Sequence, residues 1–366
     1  MIGPANGYEP VTTSGVIALL NLQGQIDGLE SQATAGRLMA GQWANLIDLL
    51  TLRGHVLSCI ADTERAADLA EQLVCDAPDD GLAFLARARM RSAFHRFAEA
   101  LADLDMAERL GSNRTVLDAE RAAIFQALGC YDEALTLRRD AAERRPDFAT
   151  LSALAVLQGE RGEIAEAERL FSEGRQCYQG VSPFPVALLD FQRGLMWFEQ
   201  DELPTACAWF DAAQRRLPAY APALGHLAEV EAALGERESA ITRLRSLAIS
   251  ADDPDYAGVL AGILSEIGQT EESDQWRTQA ATRYDELMRR HPAAFADHAA
   301  EFWLTVGADA PKALTLARQN LDNRQTPRAY ALLYKAEAES KAKVSKEAVF
   351  LASALDSKGC IGLVGE

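Results

Sequence analysis

The stretch GCYDEALTLRRDAAERRP, residues 129–146, decides the fold, because a second stretch, GERESAITRLRSLA at residues 235–248, repeats its pattern. In both, a glycine is followed five residues later by an alanine, and the apolar residues then recur at helical spacing. Such similarity between separate parts of one sequence indicates a repeat protein, in which each unit is one small element of supersecondary structure.

Alignment on that alanine extends the repeat over most of the chain. Six of the eight intervals are 33 to 35 residues long, and the other two are 39 and 40. The small residues that open the predicted second helices are Ala66, Ala100, Ala134, Ala167, Ala206, Ala240, Ser273, Ala313 and Ala348.

Further positions keep the same register. Twelve residues earlier lie Gly54, Ala88, Ala122, Ala155, Gly194, Ala228, Ala261, Glu301 and Ala336. At the one exception, Glu301, the adjacent Ala300 restores the pattern if one extra loop residue is allowed. Glycines at 129, 162, 235 and 268 precede the second helices, where a helix end needs a left-handed residue. Prolines at 78, 146 and 218 end a helix before the next unit begins.

These spacings predict units of two helices joined by a tight turn. Small residues at both positions allow the two helices to cross closely, and Phe171, Phe210 and Leu244 fill the space beside them. One such hairpin cannot bury its apolar face alone, so the units must stack.

The period, the paired small residues, the glycine and the proline resemble the tetratricopeptide-repeat (TPR) superfamily, specifically a bacterial-type multi-repeat protein. The resemblance covers residues 47 to about 358 and implies an all-α fold, a right-handed α-solenoid superhelix of about nine hairpins. Pentatricopeptide repeats have nearly the same period but bind RNA, and would require a basic groove.

The resemblance also suggests a division of the chain. Residues 1–46 form N-terminal capping helices, residues 47–180 repeats 1–4, residues 187–358 repeats 5–9, and residues 359–366 a C-terminal tail. The extra residues near 178–186 (YQGVSPFPV) predict a bend between the halves, and those near 281–291 a lengthened helix.

Composition excludes several classes of function. With 54 acidic and 36 basic residues the net charge is −18, which disfavours nucleic acid and anionic membranes as partners. No stretch is apolar enough for a membrane span. Six scattered cysteines without a CxxC pair, and an N-terminus without signal-peptide features, favour a cytoplasmic protein over one whose leader has been removed.

Catalytic and metal-binding motifs are absent from the sequence, so we expect neither enzyme activity nor a cofactor. The two histidines predicted to face the groove, His226 and His298, lie two units apart and are not expected to converge on a metal ion.

In TPR-like proteins the first helices line a concave groove, which implies a scaffold or adaptor for a peptide segment of another protein. The apolar residues Phe191, Leu195 and Phe198, hidden by a neighbour or free, are the best anchor candidates. The other predicted groove residues are Arg89, Glu120, Gln192, Glu199, His226, Glu229, His298, Phe302 and Glu337.

A chaperone-binding TPR subclass clamps carboxylates with lysine, asparagine and arginine, but the matching positions here hold residues such as Thr51, His55 and Ala86. A self-assembling scaffold, and a sensor of a small molecule or signalling peptide, remain alternatives to the adaptor.

Overall fold

The chain folds entirely into helices. The computed structural model describes residues 8–36 and 38–358, with side chains as far as Ala342, and contains no strand in these ranges. The eighteen helices are α1 (Gly15–Thr34), α2 (Ala40–Leu57), α3 (Ile60–Asp76), α4 (Gly81–Ala93), α5 (Phe97–Arg109), α6 (Arg114–Leu128), α7 (Tyr131–Arg144), α8 (Phe148–Glu160), α9 (Ile164–Gln176), α10 (Phe184–Glu199), α11 (Leu203–Arg216), α12 (Ala221–Ala233), α13 (Arg237–Ser250), α14 (Asp255–Glu266), α15 (Thr270–Arg290), α16 (Pro292–Leu304), α17 (Ala310–Asn323) and α18 (Pro327–Lys358).

Adjacent helices pair as the repeat predicts, with α2 and α3 as the first pair and α16 and α17 as the eighth. The all-helical α-solenoid is therefore confirmed. The predicted ninth hairpin is not formed, because α18 continues through the expected turn as one helix. The side chain of Ala348, which should open its second helix, lies outside the described side chains.

Small residues lie buried wherever a first helix crosses a second. Every crossing alanine from Ala66 to Ala313 is fully buried, and so is Ala300, which agrees with one extra residue in the loop that follows it. At Gly194 a Cβ atom would approach the Phe210 ring to 2.6 Å. Ser273, the polar exception, donates a hydrogen bond to the Ala261 carbonyl at 2.7 Å, so its hydroxyl is satisfied within the same crossing.

The predicted helix ends are also confirmed. Gly129, Gly162, Gly235 and Gly268 all have φ between 79° and 94°, a backbone conformation that glycine adopts without strain. Helices α3, α7 and α11 end two residues before Pro78, Pro146 and Pro218.

Two compact units make up the chain, divided between Ala280 and Ala281. The loop predicted to separate two halves, 177–183 between α9 and α10, therefore lies inside the first unit. The lengthened helix predicted near residues 281–291 is the C-terminal part of α15, which has 21 residues.

Helix α1 covers the free side of the first pair. Its residues Leu22 and Ile26 share a core with Leu46 and Leu50 of α2, and Glu30 forms an ion pair with Arg65 of α3 at 2.7 Å. A terminal repeat has no neighbour on one side, and α1 covers apolar residues that the first pair would otherwise expose there.

The first pair also contacts the sixth and seventh pairs, nearly two hundred residues later in the chain. The Tyr220 hydroxyl before α12 bonds His55 Nε2 at 2.9 Å, and the Tyr256 hydroxyl of α14 bonds Ser58 Oγ at 2.6 Å. Asp252, in the loop between α13 and α14, accepts hydrogen bonds from the Ile60 and Ala61 amides. The first unit thereby closes upon its own beginning.

Replacing Ala134 by leucine should lower the free energy of unfolding by about 1–3 kcal/mol, because the larger side chain cannot fit the crossing of α6 and α7. Urea unfolding measures the change. Ala123→Leu on the exposed side of α6 is the matched control and should cost less than about 0.5 kcal/mol. Equal behaviour of the two variants would contradict the register.

Replacing Asp252 by alanine should destabilise the first unit by about 0.5–2 kcal/mol, because its carboxylate caps the N-terminus of α3 from across the closure. Asp252→Asn keeps an acceptor and should lose much less. Hydrogen exchange of the first-turn amides of α3 locates the effect; unchanged exchange in Asp252→Ala would show that the cap is dispensable.

Candidate functional site

Eleven of the twelve predicted groove residues lie on first helices, and Glu337 lies on the unpaired α18. In the first unit neighbouring first helices contact each other, and α2 contacts α12. We call the side that these helices share the inner face. Nine predicted residues belong to it, and the other three, His298, Phe302 and Glu337, belong to the second unit.

The predicted apolar anchor on α10 is only partly accessible. Phe191 is 5% exposed, because its ring packs edge-on against Tyr220 at 5.3 Å between centroids and against Phe210 at 5.7 Å. Val56 and Leu52 of α2 complete this core from the opposite side. Of the two possibilities that the sequence left open, Phe191 is therefore hidden by a neighbour, since the closure of the first unit buries it.

The neighbouring residues on α10 and α12 remain in contact with solvent. Leu195, Gln192 and Phe198 are half-buried, and Glu199 is exposed. His226 Nδ1 bonds Glu229 Oε2 at 2.9 Å, one helical turn away as the sequence predicts, and the imidazole lies 5.7 Å from the Phe198 ring.

In the second unit Phe302 also belongs to the core rather than to an open face. It is 5% exposed and packs against Tyr284 and Trp303, each at 5.1 Å between ring centroids. His298 is half-buried, and Glu337 forms an ion pair with Arg318 at 3.6 Å. Phe302 is thus a packing residue of α16.

Polar side chains join the first helices of repeats 1 to 3. Arg89 of α4 donates to Glu120 of α6 at 2.7 Å and forms an ion pair with Asp48 of α2 at 3.1 Å. Between these charged groups α6 presents Ala119 and Ala123, both exposed. At α6 the inner face therefore exposes small side chains, and charged side chains lie nearby.

The next inter-helix contact continues this polar surface. Gln126 Nε2 of α6 donates to Glu160 Oε1 of α8 at 2.8 Å, and the Glu160 side chain is exposed. Glu120 and Glu160 therefore place two carboxylates on adjacent first helices.

Arg138, which sequence reasoning missed, lies beneath this surface. It occurs four residues after the crossing Ala134, a place where other repeats have Leu104, Phe171 or Phe210. A charged residue in an otherwise apolar column was the signal that could have revealed it.

The Arg138 side chain is half-buried, and its guanidinium has no partner within the described part of the chain. Burial lowers its pKa, and Glu120 and Glu160 raise it through their charges. Its Nε is inaccessible to solvent and has no hydrogen-bond acceptor, and Arg138 forms no ion pair within the described part of the chain. An unsatisfied buried donor is costly, so Arg138 Nε lowers the stability of the fold.

The described residues contain no group of three or more side chains suited to a metal ion. Surface depressions are shallow: the one of about 570 Å³ beside α13 is open to solvent and lined by Thr242, Arg243 and Ser246. No described helix is long and apolar enough to cross a membrane.

Solved structures of similar fold were found, although no protein-family model and no curated protein matches the chain. The human IFIT1 dimer with PPP-AAAA gives a TM-score of 0.53 at 15% identity, over 78% of this chain and 73% of that one. A monomeric IFIT1 mutant with Gppp-AAAA gives 0.53 at 15% identity, over 86% and 76%. At this identity the likeness concerns the fold alone.

Replacing Arg138 by leucine should raise the free energy of unfolding by about 1–2 kcal/mol, because a half-buried cation without an ion pair, whose Nε lacks an acceptor, is exchanged for the side chain that Leu104 supplies in repeat 2. The exposed Arg139→Leu is the control and should stay within about 0.5 kcal/mol of wild type. A destabilised Arg138→Leu in urea unfolding would mean that the guanidinium already holds the fold together.

Proposed function

Because the chain has the fold of the tetratricopeptide-repeat superfamily, we propose that it is a non-catalytic scaffold that binds an extended segment of a partner protein on its inner face. The bacterial type remains a prediction from the sequence. The binding region centres on α4, α6 and α8, where the inner face is polar and open.

The unpaired guanidinium of Arg138 is the observation that carries this proposal. Because Glu120 and Glu160 flank it, an incoming carboxylate would be repelled, whereas a neutral backbone carbonyl would not. A main chain lying over Ala119 and Ala123 meets no large side chain there. An extended peptide would therefore present a carbonyl to the terminal nitrogens of Arg138, since the buried Nε is out of its reach.

The two glutamates set the preferred partner. Lysine or arginine side chains of the segment would lie near Glu120 and Glu160, so basic segments are favoured and acidic ones rejected. The overall charge of −18 has the same effect at long range and should make association faster at low salt.

The region around α10 and α12 is the second contact that we propose. Phe198, Leu195 and the His226–Glu229 pair remain partly exposed there, and Glu199 adds another carboxylate. Since Phe191 is buried, the apolar anchor of this region is smaller than the sequence suggests.

Nucleic acid is not the ligand in this proposal, although the IFIT1 structures hold PPP-AAAA and Gppp-AAAA. Four glutamates on the inner face would repel a phosphate backbone.

We place the protein in the cytoplasm, because Cys59, Cys75, Cys130, Cys177 and Cys207 are unpaired thiols.

Two alternatives predict different behaviour. A self-assembling scaffold would sediment as larger species with rising concentration, whereas the adaptor stays at one size. A small-molecule sensor would need an enclosed pocket, and the depression beside α13 is open and lies away from the inner face.

The proposal is tested with a labelled basic peptide taken from a captured partner and titrated against full-length variants. Glu160→Lys should weaken binding at least tenfold by charge reversal, and Arg138→Leu should weaken it while improving stability. Phe198→Ala and the double change Glu199→Lys with Glu229→Lys test the second contact, the former with an expected loss of about 1–3 kcal/mol.

Arg139→Glu, which alters an exposed residue of α7, serves as the control and should bind as wild type does. Loss of binding in Arg139→Glu alone, with both inner-face regions unaffected, would place the partner elsewhere and overturn the proposal.

A further inference from the structure

An extended segment, residues 8–14, runs along the ends of two second helices before α1 begins. It contacts Arg175 near the end of α9 and Arg216, the last residue of α11. The Thr13 amide donates to the Val181 carbonyl in the loop after α9 at 2.7 Å. We call this segment the N-terminal strap.

The two arginines hold the strap by one carboxylate and by its main chain. Arg175 Nη2 and Arg216 Nη2 each donate to a different oxygen of Glu9. Arg175 Nε donates to the Tyr8 carbonyl at 3.1 Å, and Arg216 Nη1 donates to the Pro10 carbonyl at 3.2 Å. Recognition of one carboxylate together with neighbouring carbonyls is how a protein binds an extended peptide.

The arginine site is built into the fold. The side chains of Arg175 and Arg216 are 6% and 8% exposed, and both guanidinium groups lie beside Asp190, which is buried on α10. The Trp209 ring lies 5.6 Å from the Arg175 guanidinium. These contacts fix the positions of both cations before any ligand arrives.

Charge in the site does not balance without the strap. Arg175 and Arg216 contribute two positive charges, and Asp190 contributes one negative charge. Burial raises the pKa of Asp190 to about 6, although the charges of both arginines lower it. One further carboxylate is needed to neutralise the site, and Glu9 supplies it.

The strap itself remains at the surface. The Glu9 side chain is 60% exposed, and Tyr8 and Val11 are 53% and 89% exposed. Pro10 is buried, but the other contacts of the strap are hydrogen bonds and ion pairs, which are weak individually in water. Exchange for another segment therefore requires displacement of one proline and of these polar contacts.

We propose that Arg175 and Arg216 form a binding site for an acidic residue in an extended segment of another protein, and that the strap occupies this site as an intramolecular competitor. The site lies at the ends of second helices, apart from the inner face, and prefers acidic rather than basic segments. It does not depend on the function proposed above.

The test uses the full-length chain and a labelled peptide with the strap sequence YEPVTTS. In the wild type the strap competes at an effective concentration of about millimolar, so the peptide should bind weakly. The variant Glu9→Gln weakens the strap, and the peptide should bind it at least tenfold more tightly, as measured by fluorescence polarisation.

Two controls define the chemistry. The same peptide with glutamine in place of its glutamate should show no gain, and adding Arg216→Gln to the Glu9→Gln variant should abolish the gain. Adding Arg215→Gln instead, a change at an exposed neighbour, should leave the gain intact. Should Glu9→Gln fail to fold, Thr13→Pro removes the hydrogen bond from the Thr13 amide to the Val181 carbonyl and loosens the strap while Glu9 is kept.

Equal peptide affinity for wild type and released variants would overturn the proposal, as would equal binding of the glutamate and glutamine peptides. A lower melting temperature without any gain in peptide binding would make the strap a structural tie only. Arg138→Leu and Glu160→Lys should leave this peptide's affinity unchanged, so each proposal can fail without the other.

Discussion

The close crossing of first and second helices is the constraint on which the rest of the structure depends. It requires small residues at two positions, twelve residues apart in seven of the eight pairs, and these residues, alanine or glycine except at Ser273, are buried. Larger residues one turn further on, such as Leu104 and Phe171, then fill the space beside the crossing. Because each hairpin has a second apolar side, the crossing also obliges hairpins to stack, and the array of first helices that results forms the inner face.

Closure adds a constraint that a repeat array does not have by itself. In a simple solenoid each unit contacts only its neighbours, but here α2 and α3 contact residues from Tyr220 to Tyr256. These bonds couple the first pair to the sixth and seventh, so the first unit should unfold more cooperatively than a linear array. They also bring α2 over α10, which is why Phe191 is buried beside Val56 although its repeat position faces inward.

The sequence predicted the structural features that recur in every repeat and missed those that occur at a single place in the chain. Periodicity located the crossings, the glycine turns and even the displaced register at Ala300, because each depends on contacts within one unit. It could not show that Phe191 and Phe302 are buried or that the strap binds Arg216, because contacts between different parts of the chain decide these features. The ninth hairpin failed for a related reason: small residues at the right spacing permit a turn, but in the absence of a strong helix stop α18 continues.

Arginine explains how one acidic chain can carry two surfaces of opposite preference. Most buried arginines are matched inside the fold, as Arg53 is by Asp62 and Arg87 by Asp103, and such pairs offer nothing to a ligand. Arg138 has a core position, and its Nε has no acceptor. In our proposal a neutral carbonyl approaches it between Glu120 and Glu160. Arg175 and Arg216 exceed the charge of Asp190 by one, so they call for a carboxylate. The chain supplies the carboxylate with its own Glu9 and supplies no acceptor to Arg138, so within our proposals only the inner face awaits an outside group.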